Sequence, residues 1–375
     1  MSKQAYVYSG TDWVPLASEV TNLTAYQTRA LAQAPYRNLV INGAMQVSQR
    51  GTSVTGITTS DYRTVDRFRF EPSSMGTWTM TTENDAPTGS GFRKSAKVLC
   101  TTADASPAAG DYIQLYQVLE GQNVQQILKG TASAQQLTVS FWVKANVTGT
   151  YIVELYDNDN TRVIASSYSI SASATWEKKT ITFAADTTGA FDNDNGGSLY
   201  LGFWLGAGTA YTSGTLQTTW ATPTDPKRAV GQVNLASATN NYWQVTGVQL
   251  EVGDTATPFE FKPFAQDLEE CQRYFIRYTD FQYYAQWTSS GFMRFQIPLP
   301  VAQRVGGTFS YTGSLNTNIY YEVAAVGTTG SINGFADLSA NTTLHMMQVT
   351  FSSNPSAGAG RLVTSGSSFD FSAEL

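Results

Sequence analysis

The chain has 375 residues and a formal net charge of −6, and only 14% of its residues are charged, against 13% aromatic. An acidic chain without a Lys/Arg-rich cluster lacks the basic face that nucleic-acid binding requires. With one histidine and two cysteines, Cys100 and Cys271, the chain also lacks the ligands of a histidine-based metal site and the cysteines of a disulfide framework, and we expect two buried free thiols.

Residues 1–37 differ in pattern from the rest of the chain. Residues 1–15 predict a small extended element, and from Leu16 to Ala34 residues recur at heptad spacing without Gly or Pro, which predicts a short amphipathic helix. A helix of this length is too short to hold subunits together unaided. We expect this segment to attach the chain to a larger particle or to help it oligomerise; packing against its own sandwich is the alternative.

Beyond Pro35 the sequence is typical of β-strands. Apolar and polar residues alternate in short segments, separated by turns rich in Asn, Asp and Gly. The clearest segments lie at 135–145, 149–157, 176–183, 198–208 and 240–253. Many short alternating strands predict an antiparallel β-sandwich in which each sheet has one face in water.

A domain boundary is predicted near residue 265, where two prolines end the strand series. Residues 267–275 predict a brief helix, and alternating segments then resume to the last residue. The pattern therefore predicts an all-β protein with a β-sandwich over 38–265 and a smaller C-terminal β domain over 266–375.

Several motifs occur in an order and spacing that are similar to those of a known family. They are NLVINGAMQVSQRGTS (38–53), YRTVDRFRF (62–70), LTVSFWVKA (137–145) with GTY (149–151), TWEKKTITF (175–183), VQLEVGDTATPFE (248–260), ECQRYF (270–275) and FDFSAEL (369–375). Together they resemble a domain of phage and prophage tail-fibre proteins, over nearly everything from Asn38 onward. Ser48 departs from the pattern, because many members carry Trp there.

The resemblance implies a jelly-roll-type, lectin-like sandwich, similar to carbohydrate-binding modules and carried on a virion fibre or appendage. It implies no particular ligand. In physical terms the motifs are mostly structural: Asn42-Gly43 predicts a tight turn, and Arg50 and Arg67 are expected to pair with Asp66 and tie the first strand to its neighbour.

The sequence offers little for catalysis. The single histidine, His345, lies in a strand-like segment without a glycine-framed serine nearby, which indicates a core or inter-subunit role. Glycosidases need only two carboxylates, but the acidic residues here are scattered and no solenoid repeat is visible. We therefore expect no enzymatic activity and keep a polysaccharide depolymerase as an alternative.

Sugar binding requires an exposed aromatic face together with amide or carboxylate partners for the hydroxyl groups. The candidates are aromatic residues near loops or off the alternating core face, although for any single ring burial is the commoner state. They are Trp204, Tyr211, Trp220, Tyr242 and Trp243.

Two loops repeat the letters DNDN, at 157–160 and 192–195. Calcium prefers carboxylate and amide oxygens in turns, but Asp and Asn also favour turns for backbone reasons. We expect plain hairpin loops and no cofactor, with a structural calcium ion as the alternative. Its candidate ligands are Asp157, Asp159, Asp192 and Asp194.

These features favour a bacteriophage virion structural protein, a tail-fibre component that recognises host surface glycan without cleaving it. A purely architectural tail or capsid appendage is the first alternative. The expected partners are further copies of the chain in a homotrimer, other virion proteins through residues 1–37, and the glycan. No apolar run reaches the ~20 residues of a membrane span and no signal peptide is visible, so we expect synthesis in the host cytoplasm and residence in the virion.

Overall fold

The computed structural model describes residues 6–8, 13–15, 36–279, 282–289, 292–313, 319–323, 332–351, 359–364 and 367–375. At the start of the chain, β1 (Tyr6–Tyr8) and β2 (Trp13–Pro15) pair antiparallel, in agreement with the expected extended element. The helix predicted over 16–34 lies outside the described residues. Within the described ranges, no helix has the length and apolarity needed to cross a membrane.

Two six-stranded antiparallel sheets form the body of the protein. Their strands are β3 (Ser53–Ile57), β4 (Asp61–Tyr62), β5 (Arg69–Ser73), β6 (Thr77–Glu83), β7 (Ser95–Thr102), β8 (Tyr112–Glu120), β9 (Leu137–Ala145), β10 (Gly149–Asp157), β11 (Arg162–Ile170), β12 (Glu177–Phe183), β13 (Gly197–Ala207) and β14 (Tyr242–Val252). Sheet I has the order β11-β10-β13-β8-β5-β4, and sheet II has the order β12-β9-β14-β7-β6-β3. Short 3-10 helices span Gly121–Asn123, Gln125–Ile127, Asp225–Lys227 and Leu235–Ser237. The predicted all-β, jelly-roll-type antiparallel sandwich is confirmed.

The core lies between the two sheets and is built from inward-facing aromatic and branched side chains. Phe141 of β9 is fully buried and meets Phe203 of β13 edge to face, with ring centroids 5.1 Å apart. Burying a side chain of this size stabilises the fold by roughly 1.5–3 kcal/mol. Trp243 of β14 belongs to the same core, with 0% exposure. Of the neighbouring candidates Tyr242 and Trp243, Tyr242 faces away from the core and Trp243 faces inward together with Val245, so Trp243 is wrong as a sugar-binding candidate.

The Asn42-Gly43 motif forms the predicted tight turn and fits against β14. Asn42 has a φ of 58°, and its side-chain amide donates to the carbonyl oxygens of Val47 and Asp66 at 2.9 and 3.0 Å. A Cβ atom at Gly43 would lie 2.1 Å from the carbonyl oxygen of Val248, so the turn accepts only glycine there. It holds the first motif against the last strand of the sandwich.

The outer face of sheet I is partly covered by residues 208–233, which we call the covering loop. It begins with α1 (Thr209–Thr212) and runs beside the edge strand β11, where the Ala165 amide donates to the Gln217 carbonyl at 2.7 Å. Beneath the loop, Trp204 is 1% exposed within a small apolar cluster. The loop thus protects the edge of the sheet from pairing with another chain.

The C-terminal part begins with α2 (Phe264–Gln272), three residues earlier than predicted, because Pro263 precedes its first turn. It continues with β15 (Phe275–Thr279), β16 (Gln282–Ser289), β17 (Phe292–Pro298), β18 (Thr308–Thr312), β19 (Ile319–Val323), β20 (Ile332–Ala340), β21 (Leu344–Phe351), β22 (Ala359–Thr364) and β23 (Ser368–Ser372). These strands form a β15-β23-β18 sheet and a β19-β22-β16-β17-β21-β20 sheet. His345 is buried here against the Phe371 ring, and the boundary near residue 265 stays a prediction.

The first and last motifs of the sequence meet in a buried ionic cluster. Arg67 is fully buried, pairs with Glu374, and stacks 3.4 Å from the ring centroid of Tyr274. Arg50 pairs with Glu374 at 3.1 Å and lies 3.8 Å from Asp66. Of the two arginines expected to pair with Asp66, only Arg50 does so. Arg67 pairs with Glu374 instead.

Candidate functional site

A cleft opens on the outer face of sheet I, beside the covering loop. Side chains two positions apart in a strand share a face, so Glu154 and Tyr156 of β10 point to the same side of the sheet. The strand register places Gly202 between Glu154 and Tyr116, and pairs Tyr156 with Tyr200. Glu154, Gly202 and Tyr116 form one row across the sheet, and Tyr156 and Tyr200 lie in the next row on the same face. The three tyrosines therefore surround Gly202, which has no side chain.

The cleft holds about 320 Å³, within the usual size of small-ligand sites. The Tyr200 ring centroid lies 5.8 Å from that of Tyr116 and 5.9 Å from that of Tyr156, the latter pair nearly perpendicular. Tyr156 and Tyr200 are half-buried, so each ring is supported by the protein and partly reachable from solvent. The lining residues are Glu71, Gln114, Tyr116, Glu154, Tyr156, Tyr200, Gly202, Pro223, Asp225 and Arg228.

The covering loop supplies one wall of the cleft through Arg228. Its guanidinium donates two hydrogen bonds to the carboxylate of Glu154, from Nε at 3.0 Å and from Nη2 at 2.5 Å. Burial raises the pKa of Glu154, and the neighbouring Arg228 charge opposes that rise. The pair joins the covering loop to the sheet.

Glu71 lies on the opposite side of the cleft. Its carboxylate accepts a hydrogen bond from the Tyr112 hydroxyl at 2.5 Å. Burial and the Glu71 charge together raise the pKa of both Tyr112 and Tyr116, so these phenols stay protonated at neutral pH. The cleft therefore offers aromatic faces, neutral hydroxyl groups, the Gln114 amide and carboxylate oxygens, the set of groups that suits a polyhydroxylated ligand.

The aromatic candidates named from the sequence do not assemble into one site. Trp204 and Tyr211 contact each other under the covering loop, with centroids 5.3 Å apart, and the burial of Trp204 contradicts the exposed face expected of it. Trp220 is half-buried and donates from its indole nitrogen to the Ala184 carbonyl at 2.7 Å. Tyr242 is half-buried on the outer face of sheet II, 4.9 Å from the Lys97 ammonium.

The three cleft tyrosines were missed in the sequence, although a sequence signal exists for one of them, Tyr116. In YIQLYQV, the start of β8, Tyr112, Gln114 and Tyr116 alternate with two buried apolar residues. This alternation places two tyrosines and an amide on the outward face of a central strand. An outward tyrosine row in a central strand is a better indication of a platform than an aromatic residue in a loop.

The two DNDN loops come together, but through hydrogen bonds within the protein. Asp157 is buried and pairs with the Lys129 ammonium at 2.5 Å. Asp159 accepts a hydrogen bond from the Asp192 amide at 2.9 Å, and Asp194 accepts one from Gly196. In the described part of the chain, no group of three or more His, Cys, Asp or Glu side chains is arranged to hold a metal ion. The calcium alternative therefore gains no support from these loops.

A second cavity, of about 410 Å³, lies between the first motif and α2. Its charged groups are paired with each other: Arg273 binds Glu120 through two hydrogen bonds, and Lys262 binds Glu270 at 2.8 Å. Among the described residues that line it, the aromatic ones are Tyr36 and Tyr274, and they form no cluster of rings comparable to the tyrosines of sheet I. The cleft on sheet I is the better candidate for a sugar site.

No known protein family and no curated protein sequence matches the chain. Among solved structures, an enzymatically active domain of tailspike protein 4 from bacteriophage CBA120 is 14% identical with a TM-score of 0.31, over 58% of this chain and 22% of that one. A family 61 carbohydrate-binding module solved with β-1,4-galactotriose is 9% identical with a TM-score of 0.30, over 58% and 99%. A family 11 module of a Clostridium thermocellum cellulase is 12% identical with a TM-score of 0.28, over 54% and 96%. TM-scores this low do not establish the fold, which is defined by the strand order of the two sheets.

Proposed function

We propose that the protein binds a glycan in the cleft of sheet I. The observation that carries this proposal is the convergence of Tyr116, Tyr156 and Tyr200 around Gly202, since aromatic rings over an open floor accept the apolar face of a sugar ring. Glu71 and Gln114 supply the polar partners for hydroxyl groups. The size of the cleft suits a few sugar units rather than a protein partner.

The protein is further proposed to act as a surface component of a bacteriophage virion. The low charge, the richness in aromatic residues and the ordered motifs from 38–53 to 369–375 support this assignment. In this reading residues 1–37 attach the chain to the particle, and the chain assembles as a homotrimer. Sedimentation of the purified protein tests the trimer directly, and a monomer at micromolar concentration contradicts it.

Binding without cleavage is the activity that we propose. Hydrolysis by two carboxylates requires an acid that exchanges its proton with the substrate. Glu154 is the buried carboxylate among the cleft residues, and both of its oxygens accept hydrogen bonds from Arg228. Such a carboxylate is held in place by its partner rather than presented to a ligand.

The test is saturable binding of the purified protein to extracted host surface polysaccharide, with polymer length followed in the same samples. Tyr156→Ala and Tyr200→Ala each remove one ring, and we expect each to weaken binding about tenfold, or ~1.4 kcal/mol. Tyr242→Ala is the matched control, because this half-buried tyrosine lies on the other sheet. Equal losses in all three variants, or shortening of the polymer, contradict the proposal.

A further inference from the structure

We propose that Glu154 makes the cleft selective for uncharged glycans, because it occupies the Arg228 guanidinium, which could otherwise bind an anionic sugar. This inference rests on the proposed glycan-binding function and adds the chemical class of the ligand. Of the described residues that line the cleft, Arg228 is the one cation. Arginine binds carboxylate and phosphate through a planar fork of two N–H groups. An anionic sugar can bind here only if these two N–H groups of Arg228 are free.

The N–H groups of Arg228 that would bind an anionic sugar are already hydrogen-bonded within the protein. Its Nε and Nη2 atoms both donate to Glu154, at 3.0 and 2.5 Å, and its Nη1 atom lies 3.9 Å from the carboxylate of Asp225. The guanidinium centre is also 5.7 Å from the ring centroid of Tyr156 and 5.2 Å from that of Trp204. A sugar carboxylate entering the cleft would have to displace Glu154 from a partly buried pair whose partners are fixed in the sheet and in the loop.

The remaining charges of the cleft are negative. Glu71 and Asp225 line it in addition to the Glu154–Arg228 pair, so the lining has three carboxylates to one guanidinium and a formal net charge of −2. Arg69 lies at the margin, 5.9 Å from the Tyr116 centroid, and donates to the Ser60 hydroxyl at 2.9 Å. An anionic sugar therefore meets repulsion in the cleft, whereas a neutral sugar finds oxygen acceptors for its hydroxyl groups.

The same geometry predicts a gain of function. Glu154→Gln keeps the shape of the side chain but removes the charge, which leaves the Nε and Nη2 atoms of Arg228 without an anionic partner in the cleft. The variant should bind anionic glycans that the parent rejects. The double variant Glu154→Gln/Arg228→Gln removes both charges, so it should gain nothing for anionic glycans.

The experiment uses an array of bacterial surface oligosaccharides in which uncharged members are paired with counterparts that carry a carboxylate or a phosphate. For the parent protein, we expect the uncharged members to bind at least tenfold more tightly than their charged counterparts. For Glu154→Gln, we expect at least a tenfold gain for the charged members, and this gain should fall as the salt concentration rises. The double variant should show neither the gain nor the salt dependence, and its melting temperature establishes that the fold is retained.

The outcomes separate this inference from the function on which it rests. Preference of the parent protein for charged members overturns the assignment of Glu154 but leaves glycan binding in the cleft intact. A Glu154→Gln variant that is folded and gains nothing for charged members overturns it as well. If the parent binds no member of the array and no host polysaccharide, the proposed function itself fails.

Discussion

Burial raises the pKa of individual carboxyl groups in this fold, and Asp66 is one of them. Asp66 is 1% exposed and accepts hydrogen bonds from the backbone and side-chain amides of Gln49 at 3.0 and 2.5 Å. Burial raises its pKa from 3.8 to about 6, although Arg50 and Gln49 oppose the rise. The native protein therefore holds a proton on Asp66 at a pH where the unfolded chain has already released it.

We predict that Asp66 makes the protein more stable at pH 5 than at pH 7. Below about pH 3 the carboxyl group is protonated in both states, so the free energy of unfolding is at its highest and does not change with pH. Between about 4 and 6 only the native state retains the proton, so the free energy of unfolding falls as pH rises. The total loss is about 3 kcal/mol for a rise in pKa from 3.8 to about 6, and it is complete by about pH 7. Urea denaturation at pH 5, 6 and 7 measures it.

The control for this prediction is Asp66→Asn, which has no proton to exchange at this position. Other groups titrate identically in both proteins, so the difference between the two pH profiles isolates Asp66. We expect the variant to lose part of the rise in stability from pH 7 to pH 5. Parallel profiles for the two proteins would show that Asp66 has an ordinary pKa.

At the scale of the strand, β13 is the element that makes a cleft rather than a flat sheet. Gly202 lies in its middle, and a Cβ atom there would be 3.8 Å from Cβ of Tyr116 and 3.9 Å from the carbonyl oxygen of Glu154. These are ordinary contact distances. A small side chain therefore fits without strain, and a larger one has to extend into the space between the rings.

We predict that Gly202→Leu abolishes most glycan binding while the fold is kept. The leucine side chain fills the floor of the cleft, so affinity for the polysaccharide should fall more than tenfold. Gly202→Ala is the matched control: it should bind within threefold of the parent and gain about 0.4–1 kcal/mol of stability, because alanine restricts the unfolded chain. Calorimetric titration and thermal unfolding of both variants give the two readouts, and unchanged binding by the leucine variant would place the ligand elsewhere.

The elements also show what could be predicted from the sequence. Alternation locates five of the twelve strands of the sandwich, β9, β10, β12, β13 and β14, and Phe141 and Val143 of β9 are buried as their period requires. Alternation does not say which side of a sheet a loop will cover. Trp204 faces outward from the sheet core, yet the covering loop buries it. The cleft depends on register between β8, β10 and β13, which are distant in sequence, so the meeting of its tyrosines could not be predicted from any one segment.

At the scale of the whole molecule, the chain end stabilises the motif at 62–70. Arg67 has no exposed surface, donates to the Val118 carbonyl at 2.7 Å, and has its charge met by Glu374. The Tyr62 hydroxyl donates to the Leu375 carbonyl at 2.8 Å. The sandwich therefore completes its ionic cluster only when the last residues of the C-terminal part are in place, and the two parts are expected to unfold together.

We predict that Glu374→Gln destabilises the entire protein rather than its C-terminal part alone. The change leaves the buried Arg67 guanidinium without a counter-charge, and breaking one side of a buried ion pair costs about 3–5 kcal/mol. Glu269→Gln, on the exposed side of α2, is the control and should change stability by less than about 0.5 kcal/mol. The measurement is denaturant unfolding followed by both tryptophan fluorescence and circular dichroism. The prediction is supported if both signals report one transition at a lower denaturant concentration. It is contradicted if the C-terminal strands unfold earlier while the midpoint of the sandwich transition is unchanged, because the charge of Arg67 would then not depend on Glu374.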